Sequence, residues 1–135
     1  MAKAQRVKFL KTNLSDQPGV LLKVMQELKD KKVSLKSLWG FSKQGADAEL
    51  YVIAKDTDKI KNLWTTAGKT VEEGTAFFSK GTDKTGALLK DLQALADANV
   101  NIHGIHAIAV GGKYGSLLRI GAADVEKAAQ ALGAK

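Results

Sequence analysis

Three short stretches of the sequence carry residue types that could do chemistry. His103 and His106 have a spacing that suggests a metal site, but residues three apart on a strand point to opposite faces. Glu72 and Glu73 could form an acid/base pair, but neighbouring strand residues diverge in the same way. The glycine-rich segment 111–115 joins two predicted strands, whereas a phosphate cradle joins a strand to a helix. We therefore predict no catalytic residue, no metal site and no cofactor.

The composition is that of a globular protein without thiol chemistry. The chain has 135 residues, of which 44% are hydrophobic, and it contains no Cys. Disulfides, thiolate nucleophiles and Cys-based zinc sites are thereby excluded. The lack of Cys, together with a beginning that has no apolar stretch, predicts a cytoplasmic protein with no signal peptide and no membrane partner.

The formal charge of +7 raises the question of nucleic acid as a partner. The lysines are scattered over every predicted element instead of being clustered, and no helix-turn-helix or aromatic RNA-binding pattern accompanies them. We interpret the charge as a solvated basic surface, and nucleic-acid binding stays the weakest of the alternatives.

An internal repeat organises the chain. An offset of 67 residues places Gly19 on Gly86, and nine positions of the surrounding eighteen-residue window are then identical. A fixed internal period is typical of repeated supersecondary units. We predict two small modules, at 1–70 and 71–135. Modules of this size are marginally stable alone, so they are expected to pair within or between chains.

Each copy is predicted to contain a strand, a helix, two strands and a second helix. In the first copy these are strand 6–13, a turn at 15–19 with Pro18 in the first helical turn, strand 33–41, a turn at 43–45 and strand 47–55. The apolar residues of its two helices recur at helical spacing: Leu21, Leu22, Met25 and Leu28, then Ile60, Leu63, Trp64 and Ala67. Asp56 or Thr57 is predicted to cap the second helix. Trp39, Phe41 and Trp64 are predicted to belong to the core.

The second copy repeats this order. Its helices carry Leu88, Leu89, Leu92 and Leu95, then Val125, Ala128, Ala129 and Leu132. Between them lie strand 100–110, a hairpin turn at 111–115 and strand 116–121. A single strand, 69–80, is expected to end one module and begin the next. Because no closing strand follows the last helix, we expect an open edge in the second sheet and a homodimer that covers it.

These features resemble the ACT domain, a small ligand-binding module of amino-acid metabolism, in the form of stand-alone proteins with two such domains. The resemblance lies in two pairs of segments: Asp16-Gln17-Pro18-Gly19-Val20-Leu21 with Val33-Ser34-Leu35, and Asp83-Lys84-Thr85-Gly86-Ala87-Leu88 with Asn99-Val100-Asn101-Ile102. It implies an α+β fold of two ferredoxin-like βαββαβ modules in tandem, with antiparallel sheets each covered by two helices on one face. Thr85 replaces the proline of the family pattern.

The resemblance also implies an amino acid or similar effector bound where modules meet, at the loop after the first strand and the start of the second. Free amides at a helix start can receive a carboxylate, and an aspartate or asparagine can bind an ammonium group. The predicted ligand-binding residues are Asp16, Gln17, Gly19, Val20, Leu21, Asp83, Gly86, Ala87, Leu88, Asn99 and Asn101. The alternative for Asp16 and Asp83 is a role as helix N-caps.

Two functional hypotheses follow from the resemblance. In the first, the protein senses an amino acid and regulates an unidentified enzyme through a change in their contacts. In the second, it is a dimerisation or protein-interaction module that binds no small molecule. Neither hypothesis makes the chain an enzyme.

Overall fold

The computed structural model describes residues 4–43, 46–82 and 85–134, with the backbone alone for Lys43 and Ala46. The predicted turn residues Gln44 and Gly45 and the predicted site residue Asp83 lie outside the described residues. In chain order the elements are β1 (Gln5–Leu14), α1 (Val20–Asp30), β2 (Leu35–Lys43), β3 (Ala46–Ala54), α2 (Thr57–Thr66), β4 (Val71–Thr82), α3 (Leu89–Asp97), β5 (Ile102–Val110), β6 (Lys113–Ile120) and α4 (Val125–Leu132), with a short 3-10 turn at Ala122–Asp124 before α4.

The predicted α+β character and the predicted order of elements are confirmed. The chain divides into two compact units. The first unit is Lys8–Glu73, and the second unit is Gly74–Lys135 together with the described part of Met1–Val7. The polypeptide therefore passes between the units twice, once within β1 and once within β4.

The first unit has an antiparallel sheet in which β3 lies between β2 and β1. One face of the sheet packs against both helices, through a core that includes Leu10, Val24, Leu28, Val52, Ile60 and Trp64. Asp56 caps α2 as predicted, because its carboxylate accepts a hydrogen bond from the amide of Lys59 at 3.2 Å. Each helix thus contributes an apolar stripe to one shared core.

The second unit has the corresponding arrangement, with β6 between β4 and β5 in antiparallel pairing. Its core includes Phe77, Leu95, Leu118, Ile120 and Ala128, and Ala4 from the start of the chain belongs to it. In the strand order β1 lies next to β4. The expectation that this unit lacks a closing strand is therefore wrong, and the edge that stays open in the unit is that of β5.

The start of α1 differs from the sequence prediction. Gly19 is the N-cap with a φ of 87°, a left-handed conformation that glycine adopts without strain, so Pro18 precedes the helix instead of lying in its first turn. No side chain caps α1, which means that Asp16 is not its N-cap. Of the predicted apolar stripe, Leu28 is buried and Met25 packs against the core, whereas Leu21 and Leu22 are 46% and 61% exposed. Val24 completes the packed face.

The β5–β6 turn is shorter than predicted. Gly111 and Gly112 alone form it, with φ values of 60° and 80°. Two-residue hairpin turns of this kind require positive φ at both positions, which glycine provides. Because β6 begins at Lys113, Tyr114 is a strand residue and its side chain takes a defined side of the sheet.

The prediction for the three aromatic residues of the first unit holds only in part. Trp64 is fully buried in the core. Trp39 is half-buried and stacks on Tyr51 with ring centroids 5.0 Å apart, on the side of the sheet away from the helices. Phe41 is 48% exposed, so it is not a core residue.

In the described parts of the chain, no helix combines the length and the apolar character needed to span a membrane.

Candidate functional site

The second unit carries an open groove of about 430 Å³ between the start of α3 and the edge strand β5. This volume falls in the range of small-molecule pockets. The groove is lined by Gly86, Ala87, Leu88, Leu89, Leu92, Ala107, Ile108, Ala109 and Tyr114. Three predicted ligand-binding residues, Gly86, Ala87 and Leu88, thus lie together in its wall.

The loop before α3 forms one end of the groove. Residues 85–88 make a turn in which Gly86 has a φ of 77° and its carbonyl accepts from the amide of Leu89 at 3.0 Å. The helix follows at once. Leu88 is its N-cap residue, and the Leu88 side chain makes no capping hydrogen bond. Amides in a first helical turn have no acceptor within the helix. The loop can therefore present N–H groups to an anionic ligand atom.

Tyr114 connects β6 to this loop. Its hydroxyl donates a hydrogen bond to the carbonyl oxygen of Ala87 at 3.3 Å. Its ring lies over Gly81 of β4, where an added Cβ would be 3.0 Å from the ring atom Cε1. The absence of a side chain at Gly81 therefore makes room for the ring. Tyr114 in turn supplies the only hydroxyl among the nine described residues that line the groove.

Sequence reasoning missed Tyr114 because it placed the residue in the hairpin turn. The signal was present, since a Gly-Gly pair is enough for a two-residue turn. That shorter turn puts Tyr114 opposite Gly81 on β4 and Ala109 on β5. Cross-strand partners lie on the same face of a sheet. Gly81, Tyr114 and Ala109 therefore share one face, and it is the face that lines the groove.

The predicted site residues of the first unit form a separate turn at the start of α1. The amide of Gln17 donates to the carbonyl of Ser15 at 2.9 Å, and that of Val20 donates to the carbonyl of Gln17 at 3.3 Å. These residues do not line the groove of the second unit. They are Asp16, Gln17, Gly19, Val20 and Leu21.

Asn99 and Asn101 lie at the far end of α3 and do not line the groove. Both are exposed. Asn99 has a φ of 59°, and its amide donates to the carbonyl of Ala96 at 3.0 Å. Asparagine is one of the few residues other than glycine that adopts this left-handed conformation readily, so the position has a clear role in ending the helix.

Ion pairs occupy the carboxylates that were considered for acid/base chemistry. Glu73 accepts from Lys61 at 2.8 Å, and this hydrogen bond lowers the pKa of the Glu73 carboxyl. Glu72 lies 3.5 Å from the ammonium of Lys11, which is itself 2.7 Å from Glu49. The hydrogen bond to Glu49 raises the pKa of Lys11. These pairs stabilise the first unit and leave the two neighbouring glutamates with different partners.

The two histidines of β5 also lie in different surroundings. The ring of His103 rests over Gly121, where an added Cβ would be 2.7 Å from its Cε1 atom. His106 is the cross-strand partner of Leu117 in β6. Among the residues that the structure describes, no three His, Asp or Glu side chains come together as a metal site.

No protein-family model and no curated protein matches this chain. Solved structures do resemble it. A protein from Bacteroides thetaiotaomicron is 22% identical, with a TM-score of 0.84 over 96% of this chain and 88% of that one. The ligand-free regulatory subunit of aspartate kinase from Thermus thermophilus is 15% identical, with a TM-score of 0.67 over 98% and 94%. The regulatory subunit of aspartate kinase from Thermus flavus is 16% identical, with a TM-score of 0.62 over 98% of this chain and 94% of that one.

At these identities the likeness concerns the fold. The chain has the ferredoxin-like, ACT-type fold that the regulatory subunits of aspartate kinase also have.

Proposed function

We propose that the chain is a regulatory protein that binds an amino acid or similar small effector in the groove of the second unit. The observation that carries this proposal is the groove itself. It is built around the loop that the sequence resemblance picks out for ligand binding, and it has the size of a small-molecule pocket. The fold shared with aspartate kinase regulatory subunits supports the same class of function.

We further propose that the chain is a tandem pair of ACT modules. The sequence repeat supports this, as does the same order of strand, helix, strand, strand and helix in both halves of the chain. In a small domain that cannot bury much surface alone, pairing two copies increases the buried fraction.

The binding mode follows from the polar groups of the groove. The effector's carboxylate is received by the amides of Ala87 and Leu88, since that of Leu89 already donates to the carbonyl of Gly86. The effector's other polar group meets the Tyr114 oxygen, which keeps its lone pairs while the hydroxyl donates to Ala87. Binding then regulates an unidentified enzyme only if the effector has different affinities for two states of the protein. The loop at 85–88, to which the Tyr114 hydroxyl donates a hydrogen bond, is the part that we propose to change between them.

A thermal-shift screen against the proteinogenic amino acids tests the proposal. A ligand at about a hundred times its Kd adds roughly 2.7 kcal/mol of stability. For a chain of this length, that raises the Tm by about 8 °C. A rise that is selective for one amino acid or a few related ones is the expected result. A flat screen at millimolar concentrations overturns the proposal.

Two matched variants locate the site. Gly86 and Gly19 both have positive φ, at 77° and 87°, and both have open space around an added Cβ. Gly86→Val and Gly19→Val therefore introduce a similar backbone strain in the two units. The ligand-induced rise in Tm is expected to disappear in Gly86→Val and to persist in Gly19→Val.

A second candidate function is dimerisation, which a specific observation favours. The edge strand β5 contains no charged residue, and Ile105, Ile108 and Val110 are 52%, 58% and 69% exposed. Edge strands without charges invite pairing with another chain, whereas the other edge strand, β2, carries Lys36 and Lys43. We propose that a homodimer forms through β5, whether or not a ligand is bound.

A further inference from the structure

We infer that the groove selects an amino acid with an aliphatic side chain and that the chain binds one such ligand, in the second unit alone. This inference rests on the proposed function and adds to it the class of effector and the number of sites. It depends on the chemistry of the groove walls and on a difference between corresponding positions of the two units.

The walls of the groove are apolar apart from the Tyr114 hydroxyl and the backbone. α3 contributes Leu88, Leu89 and Leu92, and β5 contributes Ala107, Ile108 and Ala109. None of the nine described lining residues has a charged side chain. A lysine or aspartate side chain placed here would lose hydration without gaining a partner, whereas an aliphatic side chain would exchange water for apolar contacts. The walls therefore favour aliphatic ligands over charged ones.

The two units differ at the position that completes the groove. The 67-residue offset of the repeat places Leu14 on Gly81, and their cross-strand partners are Ala48 and Tyr114. In the first unit the large side chain is on β1, where Leu14 is buried in the core. In the second unit the large side chain is on β6, where it reaches the loop and hydrogen-bonds Ala87.

This exchange of large and small residues gives the second unit a polar group that the first unit lacks. Ala48 has no hydroxyl to offer at the corresponding place, and Leu14 fills the position that Gly81 leaves empty. The loop before α1 is thus without the contact that Tyr114 makes to the loop before α3. One site per chain is the consequence.

Isothermal titration of the whole chain with leucine, isoleucine, valine, methionine, alanine, lysine and aspartate tests this inference. We expect one molecule of aliphatic amino acid per chain. Alanine should bind at least tenfold more weakly than leucine, because each methylene in an apolar pocket changes affinity by about 10- to 200-fold. Lysine and aspartate should give no measurable heat of binding.

Substitutions in the groove complete the test. Ala109 is exposed on β5, so Ala109→Glu places a carboxylate in the wall without changing the core. Leucine affinity is expected to fall at least tenfold, whereas Ser42→Glu, an exposed change on β2 of the first unit, should leave it unchanged. Tyr114→Phe keeps the ring, removes the hydroxyl, and should weaken leucine binding several-fold.

The outcomes separate this inference from the proposed function. Two ligands per chain, or lysine or aspartate bound as tightly as leucine, would overturn the inference and leave the effector-binding function standing. Leucine binding unaffected by both Ala109→Glu and Tyr114→Phe would also overturn it, by showing that the ligand lies elsewhere. Failure of every amino acid to bind would instead overturn the proposed function.

Discussion

The guanidinium of Arg6 donates to both carboxylate oxygens of Glu126, at 2.9 and 3.0 Å, although 120 residues separate the two in the sequence. Ala4, two residues before Arg6, is buried in the same core as α4. The ion pair and the buried alanine fix residues 4–6 to the rest of the second unit. Two parallel N–H···O bonds give such a pair a defined geometry as well as attraction.

The first prediction concerns the pH dependence of this pair. The hydrogen bond from Arg6 lowers the pKa of the Glu126 carboxyl. A group whose pKa is lower in the folded state stabilises the protein above its unfolded pKa, and this stabilisation is lost as pH falls through the folded pKa. Arg6→Met should therefore lower the Tm at neutral pH, and the difference from the original protein should disappear in acid.

Thermal unfolding from about pH 7 to about pH 3 measures this difference, since carboxylates titrate in that range. Glu73 also has a lowered pKa, but it is paired with Lys61 and contributes equally to both proteins. The difference between the two curves thus isolates Glu126. A Tm difference that stayed constant over the whole range would contradict the prediction.

The second prediction distinguishes the packed and the exposed faces of α1. Leu28 is 1% exposed and Leu22 is 61% exposed. Leu28→Ala should lower the free energy of unfolding by about 2–5 kcal/mol, because it leaves a cavity in the first core. Leu22→Ala on the same helix should change it by less than about 0.5 kcal/mol. Urea denaturation measures both values, and similar losses for the two variants would contradict the structure.

Helical spacing in the sequence predicted that α1 exists, but it identified only some of the residues that pack, Met25 and Leu28. Leu21, Leu22 and Leu28 are equally apolar, and only the position of the helix over β1 and β3 decides which of them meets the core. The order of the elements could be predicted, because each element has its own period or cap. The packing of residues 4–7 against the second unit could not be predicted, because it depends on contacts with residues more than a hundred positions away.

For the candidate site too, the local loop was expected from the sequence and the opposite wall was not. Gly86, Ala87 and Leu88 were expected from the loop pattern, which is local. The opposite wall comes from β5, and its alanines and isoleucine have no pattern that distinguishes a groove from an ordinary strand. Tyr114 depended on the length of a turn, and an error of three residues in that length removed it from the expected site.

The third prediction tests the fit between Gly81 and Tyr114. An added Cβ at Gly81 would be 3.0 Å from the Tyr114 ring, so Gly81→Ala should displace the ring and destabilise the protein. The loss should be smaller when Tyr114 is already alanine, giving a coupling energy of about 1 kcal/mol in a double-mutant cycle. Gly115→Ala is the control, because its Cβ would be an ordinary 3.6 Å from Phe78. Additive losses for Gly81→Ala and Tyr114→Ala in unfolding experiments would contradict the prediction.

The fourth prediction concerns the edge strand β5. Ile105 is 52% exposed and does not line the groove, so Ile105→Lys tests pairing without altering the candidate site. A lysine on an edge strand opposes pairing with another chain. The mass measured by light scattering is expected to be that of a dimer for the original protein and of a monomer for Ile105→Lys.

Phe41→Lys is the matched control for this experiment. Phe41 is 48% exposed on β2, the other edge strand, which carries lysines of its own. The control should remain a dimer. A monomeric original protein, or a dimer that only Phe41→Lys disrupts, would contradict the assignment of β5 as the interface.

The two passages of the chain between the units imply an order of events during synthesis. The first unit is one continuous segment, Lys8–Glu73, so all of it has left the ribosome while the second unit is still being made. Residues 4–7 emerge before any other part that the structure describes, yet Glu126 and the rest of α4 are among the last. Domains generally fold as units as they emerge. Arg6 must therefore wait for its ion-pair partner until 120 further residues have been made.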